Sequence, residues 1–287
     1  MCKPFVLTNQ SNTDIAAMLF EAQFETAAVF KRIIEAVRDV ITHATFDCDD
    51  DGIHMQSMDA MHVALASLHL RAAAFRTYRC ERAISMSMPL DSLRKILKCA
   101  ADKDGLSIKA QSGDDVVTFV ISTHNTISTY TLKLMTIDVE HLGVPDCEYA
   151  CVVSMSSAKF AQICRDLLHF GDSVIIRCGK RGVQFRVNGD IGSADVQVGA
   201  GENTNVDDNL TVSRATEVIT HTFAGKYLHN FAKGASLSSN VIISLSDDLP
   251  LKVEYSIGNV GTLQYFLAPK IINDDDDDDN NNDDIDQ

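Results

Sequence analysis

Residues 27–55, AAVFKRIIEAVRDVITHATFDCDDDGIHM, decide the fold because they are written twice: sliding the chain over itself by 130 positions lays them on residues 157–185, SAKFAQICRDLLHFGDSVIIRCGKRGVQF. Ala28, Phe30, Ile33, Cys48 and Gly52 fall on Ala158, Phe160, Ile163, Cys178 and Gly182. Between them Val37, Phe46, Ile53 and Met55 fall on Leu167, Ile176, Val183 and Phe185. A second block, Leu93, Ile96 and Lys98, recurs at a spacing of 135 as Leu228, Phe231 and Lys233. An insertion of five residues reconciles the two spacings, and the polar stretch from Gly199 to Asn209 is where a surface loop would absorb it. A repeat that preserves apolar positions over this length marks one structural unit used twice.

Each unit shows both periods. Phe30, Ile33, Ile34, Val37 and Ile41 follow the i, i+3, i+4, i+7 spacing of an amphipathic helix, as do Phe160, Ile163, Cys164, Leu167 and Leu168. Leu93, Ile96, Leu97 and Ala100 predict a second helix, with Leu228, Phe231 and Ala232 as its counterpart. Helices are therefore expected over about residues 28–41, 90–101, 157–169 and 223–235. The remainder alternates or is β-branched between turn residues, which predicts strands at Ala44–Phe46, Ile53–Gln56, His62–Leu70, Val116–Ile121, Tyr130–Ile137, Val174–Arg177, Val183–Val187, Val241–Leu245 and Thr262–Leu267. The class is α+β, with two helices covering antiparallel sheets in each copy.

Charge is segregated. The 287 residues carry a net charge of −15, which taken alone disfavours a polyanionic partner. The four predicted helices nevertheless hold ten Lys or Arg (Lys31, Arg32, Arg38, Arg94, Lys95, Lys98, Lys159, Arg165, Lys226 and Lys233) against four acids, Glu35, Asp39, Asp91 and Asp166. Everything else sums to −21, and nine of those acids lie between Asp274 and Asp286, in a tail whose composition predicts disorder. One basic stripe is ordinarily a solvated helix face. Four related stripes in an acidic chain predict a positive surface that follows a phosphate backbone without reading bases, since no base-reading motif occurs.

Other function classes find little support. No apolar run is long enough to span a bilayer and no secretory signal opens the chain, so an intracellular protein without membrane contact is expected. The eight cysteines form no CxxC pair and are expected as free thiols. Asp47, Asp49, Asp51 and Gly52 imitate the start of a calcium loop, but its twelfth position is Met58 and strands flank it, so a hairpin turn is expected instead. Ser92 with Lys95 and Ser156 with Lys159 satisfy S-x-x-K without its companion motifs, and both serines are expected as helix caps. Gly199 and Gly201 make half of a dinucleotide fingerprint without a βα unit. The histidines show no paired metal spacing. No catalytic set, cofactor or metal is expected, and a duplicated hydrolase with an unrecognised site is the weakest of the alternatives.

The strings QSMDAMHVAL (56–65), TYRCER (77–82), KILKCA (95–100), TLKLM (131–135), DVEHLGVPDCEYACVV (138–153), ICRDLLHFGD (163–172) and LAPKI (267–271) resemble the proliferating cell nuclear antigen family of DNA sliding clamps, in order from about Leu19 to Ile271. The resemblance implies the DNA clamp fold. It places an extension at residues 1–18, clamp domains at 19–135 and 151–272, a connecting linker at 136–150 and an acidic tail at 273–287. It implies a nuclear homotrimer around double-stranded DNA, closed head to tail through edges at Tyr130–Glu140 and Gly189–Gly199, with Lys31, Arg32, Arg38, Lys95, Lys98, Arg165, His169 and Lys233 facing the DNA. It further implies an apolar docking pocket of Met58, His62, Val63, Leu65, Leu142, Val144, Pro145, Ala224, Pro250, Phe266, Ala268 and Pro269, bordered by Asp59 and Asp248. That pocket would take short motifs of a replicative DNA polymerase, clamp loader, flap endonuclease and DNA ligase. From the residues alone, Val63, Leu65 and Val144 read as ordinary core. Lys180 matches a position of modification by ubiquitin or its relatives. A heterotrimeric damage-signalling ring is the alternative. The chain departs from the family in its first 17 residues, in Phe266 where a tyrosine is usual, in a shorter loop before Tyr130, and in a longer, Asn-rich tail.

Overall fold

A computed structural model describes residues 18–137, 147–199 and 210–271. The first copy contains β1 (Met18–Phe24), α1 (Ala27–Val37), β2 (His43–Cys48), β3 (Gly52–Met58), β4 (Ala64–Arg71), β5 (Thr77–Cys80), β6 (Ile84–Pro89), α2 (Leu90–Leu97), β7 (Gly105–Gln111), β8 (Val116–Ser122) and β9 (Ile127–Lys133). The second repeats the order with β10 (Cys151–Ser156), α3 (Ser157–Leu167), β11 (Ser173–Gly179), β12 (Gly182–Gly189), β13 (Gly192–Gly199), β14 (Thr211–Ala215), β15 (Ile219–Ala224), α4 (Gly225–Phe231), β16 (Asn240–Ser246), β17 (Leu249–Ile257) and β18 (Gly261–Leu267).

All strand pairing is antiparallel and repeats too. The order β5-β1-β7-β8-β9 of one sheet recurs as β14-β10-β16-β17-β18, and β6-β2-β3-β4 recurs as β15-β11-β12-β13. Within the chain β18 pairs with β4, from Gly261↔Leu70 to Leu267↔Ala64, and so fuses two of these half-sheets into one of nine strands. The equivalent strands β9 and β13 each close one side of a sheet and pair with no second strand among the described residues.

The helices form one layer in which α2 touches α1, α1 touches α4, and α4 touches α3. Their apolar stripes, such as Phe30, Ile33, Ile34 and Val37 of α1, are buried against the sheets. The layer is locked where the copies meet. Phe231 of α4 stacks on Tyr265 of β18 with ring centroids 4.5 Å apart and planes 9° apart, and the Tyr265 hydroxyl donates to the carbonyl of Ala36 in α1 at 3.0 Å.

Several sequence expectations are revised. Strand β4 starts at Ala64 because His62 turns the chain with a left-handed φ of 57°. The fourth helix is α-helical only to Phe231 and continues as a 3₁₀ turn, Ala232–Ser236. Edge strand β9 spans Ile127–Lys133, so the edge expected at Tyr130–Glu140 begins and ends earlier, with residues 138–140 outside the described ones. Ser156 does cap α3, accepting from the Lys159 N–H at 3.5 Å, but Ser92 lies inside α2, whose N-cap is Pro89. Cys151 of β10 and Cys178 of β11 are joined as a disulfide in the core, where free thiols were expected.

Replacing Phe231 by Ala removes a fully buried ring from the joint between copies. We expect a loss of about 4 kcal/mol in urea unfolding, whereas a loss below about 1 kcal/mol would mean that the stack does not hold the layer.

Candidate functional site

Nine of the ten helical cations divide into two sets, and Arg165 stands apart from both. Four bind the helix layer together. Lys31 Nζ donates to Asp102 Oδ1 and to the Ala100 carbonyl, both at 2.8 Å, fastening α1 to the segment after α2. Glu35 receives Arg38 at 2.8 Å and Arg94 of α2 at 2.7 Å. Partial burial would raise its pKa, but the hydrogen bonds from Arg94 and Arg38 outweigh that and hold the carboxyl below its usual range. Lys233 reaches across the copies to Asp39 at 2.6 Å, beside Asn230, whose amide donates to the Asp39 carbonyl at 2.9 Å. Exposed Arg165 lies 3.6 Å from Asp166.

The second set is Arg32, Lys95, Lys98, Lys159 and Lys226, all exposed and without an ion pair among the described residues. His169, just beyond α3, is exposed as well. These side chains project from helix sides opposite the buried stripes, so uncommitted positive charge gathers on the layer's solvent side. Of the eight residues expected to face DNA, Lys31, Arg38 and Lys233 are half-buried and already engaged, whereas Arg32, Lys95, Lys98, Arg165 and His169 are exposed. Lys159 and Lys226 were absent from that set although helix composition alone had included them.

Nine of the twelve residues expected in the docking pocket can be placed; Leu142, Val144 and Pro145 lie outside the described residues. The register sets the others around one end of the fused sheet. Met58 pairs with Leu65, and Leu65 pairs with Phe266. Their neighbours Ala64, Ala66 and Tyr265 point to the helices and are at most 1% exposed, so by strand alternation Met58, Leu65 and Phe266 form a row on the opposite, outer face. The Ala268 N–H donates to the Val63 carbonyl at 3.0 Å, and Lys270 N–H donates to the Thr222 carbonyl at 2.7 Å, bringing Pro269 beside β15 and Ala224. Leu251, next to Pro250, pairs with Leu267. His62 and Val63 are exposed at the rim.

Asp59, expected as an exposed acid on that rim, is only 6% exposed and builds the turn instead. Its carboxylate accepts from the N–H groups of Met61 (3.1 Å), Val63 (2.9 Å) and Ala64 (2.8 Å), and from the Tyr227 hydroxyl of α4 at 2.5 Å. Asp248 is exposed as expected. Lys180 stands exposed in the turn between β11 and β12, in an open cleft of about 670 Å³ shared with Arg177 and Arg181.

Residues 19–141 match the model for the proliferating cell nuclear antigen N-terminal domain, and residues 143–270 that for its C-terminal domain. The chain belongs to the proliferating cell nuclear antigen family. It is 52% identical over 256 residues to a "Probable DNA polymerase sliding clamp" of Autographa californica nuclear polyhedrosis virus, a match covering 89% of this chain and 98% of the relative. The two proliferating cell nuclear antigen domains coincide with the duplicated set of strands and helices, and the α+β clamp fold stands on both.

Burial raises the pKa of Asp59, but the hydrogen bonds from Tyr227, Ala64, Met61 and Val63 outweigh it and hold the carboxyl below its ordinary value. A depressed folded pKa contributes stability that is fully present above the unfolded value, about 3.9, and is lost as pH falls through the folded pKa. The stability difference between the parent chain and Asp59→Asn should stay constant from about pH 7 to about pH 5 and shrink as the pH falls below the unfolded value. A difference that grows on acidification, or shrinks already between about pH 7 and about pH 5, would contradict this role.

Proposed function

We propose that three copies of this chain close into a nuclear ring around duplex DNA and tether a DNA polymerase and other replication and repair proteins to it. The chain acts as a sliding clamp, not as an enzyme. The observation that carries this reading is a pair of open edges: β18 on β4 is the join within the chain, and β9 and β13, the same two strands, each have a neighbouring strand on one side alone among the described residues. Exposed edges of this kind are templates for pairing with another chain. Core-facing residues carry the register over. Ser128 and Tyr130 of β9 stand where Leu263 and Tyr265 stand in β18, and Val196 and Ala194 of β13 stand where Leu68 and Ala66 stand in β4. Pairing Ser128 with Val196 and Tyr130 with Ala194 of the next copy covers apolar side chains that remain only partly buried in one chain. Because the edges are heterologous, an open row of copies always leaves one β9 edge and one β13 edge unpaired until the ring closes.

Ring closure then continues the helix layer around a hole, where Arg32, Lys95, Lys98, Arg165 and His169 meet phosphates loosely enough to slide. Lys31, Arg38 and Lys233 face the same hole while holding the layer together. On the outer wall, Met58, Leu65 and Phe266, with Val63, Ala268 and the linker residues Leu142, Val144 and Pro145, receive the short motifs of a polymerase, clamp loader, flap endonuclease or ligase. Lys180 is the site of modification. A heterotrimeric damage-signalling ring is not favoured, because the relative that matches almost the whole chain is a probable DNA polymerase sliding clamp.

The test is topological. After loading by a clamp loader onto nicked circular duplex, the protein should stay with DNA at high salt and leave when the circle is linearised. An Arg32→Glu, Lys95→Glu, Lys98→Glu variant should load several-fold less while keeping the parent's assembled mass. Retention on linear DNA, or undiminished loading of that variant, would overturn the assignment.

A further inference from the structure

His54 of β3 and His69 of β4 are direct partners in the strand register, on the outer face of the fused sheet. Opposed residues on antiparallel neighbours hold their Cβ atoms about 4.5–5.5 Å apart, and here the two imidazoles lie parallel, with centroids 4.4 Å apart and planes 10° apart. The turn between β2 and β3 brings carboxylates to them. Asp51 Oδ2 is 3.4 Å from His69 Nε2 and 4.0 Å from His54 Nε2. One ligating atom from each of Asp51, His54 and His69 lies within 4.8 Å of the others. His69 Nε2 is shielded from solvent yet makes no hydrogen bond, a costly arrangement for a buried polar atom.

We propose that Asp51, His54 and His69 bind a divalent transition-metal ion, zinc by preference, on the outer face of the sheet that joins the two copies. Two imidazoles and one carboxylate are the donor set of zinc, which accepts nitrogen at about 2.0–2.1 Å and oxygen at about 2.0–2.2 Å and fills a fourth position with water. Calcium and magnesium prefer an all-oxygen shell. Side-chain exposures of 38% for His54 and 36% for His69 leave both rings room to turn their lone pairs onto one ion while the ladder fixes their backbones. Asp49 is already engaged: its Oδ1 accepts from the N–H groups of Asp51 at 2.9 Å and Gly52 at 3.1 Å, which shapes the turn and presents Asp51. The acid-rich turn therefore differs from a calcium loop in its donor set as well as in its spacing. His69 pairs on its other side with Thr262 of β18, so a bound ion would clamp the turn beside the join between copies.

The experiment titrates zinc into the full-length, untagged protein after chelator treatment, with X-ray absorption of the loaded sample. The expected result is one ion per chain, unaffected by excess magnesium or calcium, with a nitrogen and oxygen shell that contains imidazole. His54→Gln and His69→Gln should each weaken binding about 10-fold or more with the assembled mass and DNA loading unchanged. Equal zinc affinity in the double variant, a shell containing sulfur from the free cysteines, or an oxygen-only shell from the aspartate tail would each overturn the proposal.

Discussion

The ladder between β18 and β4 is the constraint on which the rest depends. Seven residue pairs cross from one copy to the other there, from Gly261↔Leu70 to Leu267↔Ala64, and each main-chain hydrogen bond along it contributes about 1 kcal/mol net. The ladder admits little adjustment: a Cβ on Gly261 would lie 1.9 Å from the His69 carbonyl oxygen. Fixing this register fixes three further things. It stacks Tyr265 under Phe231 and so sets α4 against α1; it lines Met58, Leu65 and Phe266 along the outer face; and it leaves β9 and β13 as a matching pair of edges. A ring is the arrangement in which every such edge finds the partner that β18 finds in β4.

The charges serve two ends that compete. A surface meant to attract phosphate loses strength with every cation neutralised by a carboxylate, yet four helices packed side by side with ten cations would repel each other if none were. The chain resolves this by assigning Lys31, Arg38, Arg94 and Lys233 to bridges within the layer, with Glu35 and Asp39 at their centres, and leaving Arg32, Lys95, Lys98, Lys159 and Lys226 to solvent. Such partly exposed bridges contribute modestly to stability, and their greater effect is to hold helix positions. The acidity of the rest of the chain keeps the attraction local to the helix face.

The helices were legible because an apolar stripe at a period of 3.6 is a property of consecutive residues, and the duplication confirmed each with a second copy. The same holds for central strands such as β8 and β12, whose alternation is strong. What was not legible depends on register. Lys233 meets Asp39 across 194 positions of sequence, and no local pattern announces it. Asp59 was expected as a rim acid from the resemblance, but the turn at His62 curls three N–H groups onto its carboxylate. Leu65 and Phe266 could be read as core or as docking surface, and only strand parity puts them on the outer face. His54 and His69 have no metal-like spacing along the chain and become neighbours through pairing of β3 with β4.

The most direct test of the account is oxidative cross-linking of a Tyr130→Cys, Ala194→Cys double variant, read as mass under denaturing conditions. If β9 of one copy continues β13 of the next in the register of β18 on β4, covalent species should accumulate up to three times the 31.4 kDa chain and stop there, with neither single variant producing them. A double variant that remains at the mass of one chain would contradict the closed ring.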